Sequence, residues 1–151
     1  MKTSTALSLV AAISLAVVGA FFYPFPTKTA STSAIADKTV ASPGAALVDV
    51  RVPSAFSAEA TDGKTYYDAV CAACHGANAA GQKGVAPPLV HQLYVSSHHG
   101  DAAFAAAARS GVRQHHWPFG NMPPLEPRLT GAELNAIIRY IRELQRENGI
   151  F

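Results

Sequence analysis

Apolar positions follow three different patterns along the chain. From Ala6 to Tyr23 they form a run of 18 residues, interrupted among polar types only by Ser8 and Ser14. From Pro24 to about Ala60 the chain is rich in Ala, Ser, Thr and Pro, and no apolar period persists. Within that stretch Leu47-Val48-Asp49-Val50-Arg51-Val52 alternates briefly, the pattern of a short strand or of an extended arm laid over a surface. Beyond it the pattern becomes helical: Leu134, Ile137, Ile138, Ile141 and Leu144 recur at the spacing that puts them on one face. Thr130-Gly131-Ala132-Glu133 before that face is a capping box, in which hydroxyl and carboxylate each satisfy the other's end of the first turn. Arg142 and Arg146 sit near the carboxyl end, where cations suit the helix dipole, and Asn148-Gly149 stops the helix. A further helix is predicted from Asp101, as its cap, through the alanine-rich run to Ser110, with Gly111 ending it.

Residues 1–23 carry one charge, Lys2, ahead of the apolar run. This reads either as a signal peptide, cut after Val18-Gly19-Ala20, or as an N-terminal membrane anchor. Phe21, Phe22 and Tyr23 favour the anchor, because aromatic side chains settle at the bilayer interface. Either way Lys2 stays cytoplasmic and the rest is exported, to the periplasmic face of a bacterial inner membrane or to the soluble periplasm. Residues 24–60 read as a flexible linker, since so little apolar surface does not offset the entropy of ordering. Residues 61–151 are then the folded domain. It has eight basic and seven acidic side chains, too balanced for an electrostatic nucleic-acid binder or for a strongly basic docking ring.

Two cysteines in the whole chain exclude a disulfide-dense scaffold and an all-cysteine zinc site. They stand together in Cys71-Ala72-Ala73-Cys74-His75. On a helix, positions i and i+3 share a face, so both thiols address one planar partner while the next residue places an imidazole against it. This is the arrangement for covalent haem c: two thioether bonds plus histidine as an iron ligand. A thioredoxin-type pair wants a βαβ setting that this chain lacks, a zinc knuckle lacks its other ligands, and a disulfide here closes too small a loop to stabilise much.

With these residues in view, the stretch from Gly63 to Gly149 resembles a class I c-type cytochrome. Gly63-x-x-x-Tyr67 is similar to the family's first helix, where glycine lets the last helix cross closely. Ala86-Pro87-Pro88-Leu89 resembles the family's Gly-Pro-x-Leu element, which implies that the Pro87 carbonyl accepts the ring N–H of His75. Met122-Pro123-Pro124 resembles the segment that presents the distal thioether. The implied fold is all-α: three main helices plus loops around one haem, bound through Cys71 and Cys74, with His75 and Met122 as iron ligands. The resemblance further implies an aromatic donor to a haem propionate, for which Trp117 is the candidate, and a neutralising cation, for which Arg113 is the candidate. Tyr94 has the same composition of apolar body and polar tip. Residues 76–84 read as a mobile surface loop near the haem edge.

Apart from Met1, Met122 is the sole methionine. Its rivals for the iron are His91, His98, His99, His115 and His116, any of which would give a bis-histidine centre. The doublets His98-His99 and His115-His116 also raise a copper or zinc site, since neutral imidazole suits both metals. Adjacent residues in extended chain point opposite ways, so each doublet alone is a poor chelate. A monohaem electron carrier with redox-protein partners is the expected function, and no nucleophile or acid/base constellation argues for catalysis. A cytochrome subunit of a larger dehydrogenase or oxidase, and a five-coordinate haem sensor or enzyme lacking the Met122 bond, are the alternatives.

Overall fold

In the computed structural model the described residues are 44–125 and 127–151. The apolar segment 1–23, with its anchor or signal reading, and linker residues 24–43 lie outside them. Among the described residues, no helix is long and apolar enough to cross a membrane.

The architecture is helical: α1 (Ala58–Val70), α2 (Ala72–His75), α3 (Asp101–Ser110) and α4 (Gly131–Glu147), with 3₁₀ turns at Ala77–Ala79 and Gln92–Tyr94. The three longer helices match the three expected, and α2 adds a single turn. The α4 capping box forms: the Glu133 N–H donates to Thr130 Oγ1 at 3.3 Å, and the Thr130 N–H donates back to Glu133 Oε2 at 2.7 Å. For α3 the N-cap is Gly100 and not Asp101. Asp101 stands one position inside and uses its carboxylate on Arg142, at 2.8 Å, instead of on the helix end.

α1 and α4 cross where a Cβ on Gly63 would lie 1.9 Å from the Ala136 carbonyl oxygen. No side chain fits there, so glycine is what permits the helices to approach this closely. Around the crossing, Tyr140 stacks obliquely on Tyr67 and Phe56, with ring centroids 5.4 and 5.2 Å away. Tyr67 and Tyr140 are fully buried, and each hydroxyl is satisfied: Tyr67 donates to the Gly76 carbonyl at 2.9 Å, Tyr140 to Asn78 Oδ1 at 3.2 Å.

Two segments differ in part from their sequence reading. Leu47–Val52 forms no strand; it takes the other reading, an arm laid over the domain, bent at Leu47 and Val48, whose N–H groups donate to the Ala80 carbonyl at 3.1 and 3.2 Å. Arg51 exchanges backbone bonds with the Asn148 side chain at 2.9 and 2.8 Å, and Val50 and Phe56 pack on the core. From Gly44 onward, therefore, the segment read as linker is fastened to the domain. Its few apolar residues are concentrated at this end, where they repay the ordering. Residues 76–84 are the second case. Gly76, Ala79, Ala80 and Gly81 are buried, and the loop is bonded inward through Gly81 N–H to His75 O at 2.7 Å and Leu89 N–H to Ala79 O at 2.9 Å. Small, polar composition looked like a surface loop; small residues are needed here because backbones meet.

Candidate functional site

The end of α1 and the turn of α2 present the C-x-x-C-H residues together. The Cys71 N–H donates to Tyr67 O at 2.8 Å and the His75 N–H to Cys71 O at 2.9 Å, so helical spacing runs through the motif. Cys71, Cys74 and His75 all line one cavity of about 480 Å³. Neither cysteine is paired in a disulfide. Burial first, then the neighbouring Cys74, pushes the Cys71 thiol up to about 11, so it is protonated at neutral pH and a poor nucleophile for adventitious disulfide exchange.

His75 is only 8% exposed. Its Nδ1 lies 2.9 Å from the Pro87 carbonyl oxygen, which only accepts, so Nδ1 carries the proton and Nε2 keeps its lone pair. Burial lowers the His75 pKa, with the Pro87 bond opposing it, and the imidazole is neutral. This is the protonation state of a metal ligand.

Met122 reaches the same cavity from the other end of the sequence. Its backbone forms a two-bond bridge with Val112, both N···O distances being 2.9 Å. The bridge is possible because Gly111 turns with φ +72°, and a Cβ there would lie 2.5 Å from the Met122 carbonyl oxygen. Leu134, Ile137, Ile138 and Ile141 of α4 and Phe104 of α3 supply apolar wall. Trp117 also lines the cavity, and its Nε1 is buried without a hydrogen-bond partner. Burial raises the Tyr94 pKa, opposed in part by the neighbouring Trp117 side chain. Arg113 is exposed and is not among the lining residues; what it contributes is its carbonyl, which accepts from His115 Nδ1 at 2.9 Å.

These residues fit a haem on chemical grounds. Two thiols, a neutral buried imidazole with a free nitrogen and a thioether face one apolar cavity. The orphaned indole N–H there is suited to a carboxylate that the polypeptide does not provide.

Two residues of the surrounding frame were not recognised in the sequence. Arg142, read as a cation at the helix end, is instead buried. It donates to the Tyr94 and His99 carbonyls at 2.8 and 2.6 Å, to Gln145 Oε1 at 2.6 Å, and lies 4.9 Å from the centre of the Phe104 ring. Gln145 Nε2 donates in turn to Leu89 O at 2.7 Å. Together they tie the loop that carries Tyr94 and His99 to α4. The available signal was a charge and an amide, three residues apart, placed inside the apolar stripe.

The histidine doublets do meet. His98 Nε2 and His116 Nε2 are 3.3 Å apart, and His98 and His99 rings are 4.4 Å apart and nearly perpendicular. The chain turns at both doublets: His98 and His99 both donate from their N–H groups to Val95 O, which bends them out of extended geometry. His116 is held below its ordinary pKa, by partial loss of hydration and then by the imidazoles of His115, His99 and His98.

The family model described as Cytochrome c matches residues 60–145. A curated relative, the Cbb3-type cytochrome c oxidase subunit CcoP of Azospirillum brasilense, is 36% identical over 96 residues, 60% of this chain. The match spans 30% of that subunit's length.

Proposed function

The chain belongs to the cytochrome c family, and on that premise we propose that it is a monohaem carrier of single electrons between redox-protein partners. The observation that carries this reading is the convergence of Cys71, Cys74, His75 and Met122 on one apolar cavity. When bound, haem c supplies an Fe(III)/Fe(II) couple. The residues do the rest. Cys71 and Cys74 would hold it by thioethers, His75 would offer Nε2 while Pro87 fixes its ring, and Met122 would offer sulfur. Trp117 N–H would donate to a propionate. The α3 and α4 side chains exclude water. Sulfur as the second ligand favours the ferrous state relative to a second imidazole, which suits accepting and passing electrons. With His75 and Met122 both on the iron, no coordination position would remain for a substrate, and transfer would be outer-sphere.

Likeness to an oxidase subunit supports a second form of the same reading, in which this domain delivers electrons to one fixed terminal oxidase. Export to the periplasmic side, anchored through residues 6–23 or free after cleavage, is part of the proposal and rests on the N-terminal pattern and the haem motif.

Met122→Ala tests the ligand set. The ferric protein loses the weak near-red band that reports iron–sulfur bonding, and the reduced protein gains carbon monoxide binding. Unchanged spectra remove Met122 as a ligand.

A further inference from the structure

Outside the cavity's thiols, thioether and proximal imidazole, the strongest unassigned chemistry among the described residues is the group His98, His99 and His116, whose candidate ligand atoms all lie within 4.8 Å of one another. We propose that these three imidazoles bind one divalent cation of the zinc or copper(II) class on the solvent side of the haem cavity.

Three observations carry it. First, spacing. Two nitrogens each about 2.0–2.1 Å from a tetrahedral zinc are roughly 3.3–3.4 Å apart. His98 Nε2 and His116 Nε2 already stand at 3.3 Å, so a metal replaces their mutual hydrogen bond with little movement of either ring. Second, lone pairs. His99 Nδ1 donates to the Leu93 carbonyl at 2.7 Å, which leaves Nε2 as the unprotonated nitrogen and fixes the ring through the kind of backbone bond that orients metal-bound imidazoles. His91 is the contrast: its Nδ1 accepts from the Leu93 N–H at 3.2 Å, so its lone pair is spent on the backbone. Third, support. The His99 carbonyl is held at 2.6 Å by the buried Arg142, so the most enclosed of the three ligands stands on a frame rather than on a free loop. His115 stacks on His99, with ring centroids 5.9 Å apart, and uses its Nδ1 on Arg113; it backs the site without belonging to the set.

Three neutral imidazoles select borderline metals over magnesium or calcium, which prefer oxygen. They also leave an open coordination position. Since His98 and His116 are exposed while His99 and His116 line the haem cavity, the cation sits between solvent and the haem. A positive charge there favours the ferrous state, so loading raises the reduction potential.

The experiment uses haem-loaded full-length protein titrated with zinc chloride by calorimetry, with the optical spectrum recorded throughout. The expected result is one zinc per chain, at least tenfold weaker binding in His98→Ala and in His116→Ala, full binding in His91→Ala, and a positive potential shift on loading that the His98→Ala/His116→Ala variant lacks. Absence of stoichiometric heat in wild type, or equal binding in the double variant, overturns the proposal. So does a changed haem spectrum in either single variant, because the imidazole then belongs to the iron. A colourless wild-type protein fails the electron-carrier reading instead, so the two failures are distinguishable.

Discussion

Gly63 shows most directly how much one position controls. A methyl group there meets the Ala136 backbone at 1.9 Å, and because the obstacle is a main-chain carbonyl in the middle of α4, no rotamer relieves it. Gly63→Ala therefore separates the two helices that hold Tyr67 against Tyr140. The expected loss is about 3 kcal/mol, at the upper end of what overpacking costs. Denaturant unfolding of the haem-loaded protein checks it; a loss below about 1 kcal/mol means that α1 slides along α4 without penalty. Tyr67 itself depends on this contact. Burial, then the neighbouring Cys71, holds its phenol far above the ordinary range, so it stays a neutral donor to the Gly76 carbonyl at every accessible pH. Gly76 immediately follows His75, and the bond ties the base of the haem motif to the helix crossing.

At the scale of the element, α4 is held at its start by hydrogen bonding and along its length by burial. Thr130→Ala removes one half of the capping box, with an expected cost of about 1 kcal/mol. Glu133 supplies the other half. Its carboxylate accepts from the Thr130 backbone N–H first and from the hydroxyl second, and both bonds lower its pKa. A carboxyl whose folded value is depressed stabilises the native state above its unfolded value, and that contribution disappears as pH falls through the folded one. The stability difference between wild type and Glu133→Gln is therefore fully present at neutral pH and closes in acid. Thermal melts from pH 7 downward check the sign, and a gap that widens in acid contradicts it. Farther along, Arg142 and Gln145 give the helix a polar face that is nonetheless inside the molecule. They cap the carbonyls of Leu89, Tyr94 and His99.

At the scale of the whole molecule, the cavity is too large a part of a small core to remain empty without cost. Leu134, Ile137, Ile138 and Ile141 all line it, so a haem there would complete the apolar face of α4. Domains of this size have little surplus burial to compensate. Cys71→Ser/Cys74→Ser, which cannot retain the haem covalently, is expected to lose its near-ultraviolet circular dichroism and its sharp calorimetric transition. Part of the far-ultraviolet helical signal persists, because the α1–α4 crossing is built from side chains alone. A double variant that melts with the wild-type midpoint shows that the cavity does not need the haem.

Most of the helical framework and the centre of the site were legible in the residues. Helix periodicity, the capping box, the glycine after Ser110 and the C-x-x-C-H spacing are local properties, and local geometry alone makes i and i+3 neighbours. The family likeness of Ala86-Pro87-Pro88-Leu89 anticipated the bond from His75 to Pro87. Other features depend on where distant segments finish. Arg142 looks like any cation near a helix end until the loop of Tyr94 and His99 is laid over it. The arm from Gly44 looks like linker until Ala80 and Asn148 bind it. Two histidine doublets, in which His98 and His116 stand 18 residues apart, become one group only because two turns face each other across the cavity's edge. Helical pattern is written in consecutive residues, whereas these contacts are fixed by packing, which no window along the chain contains.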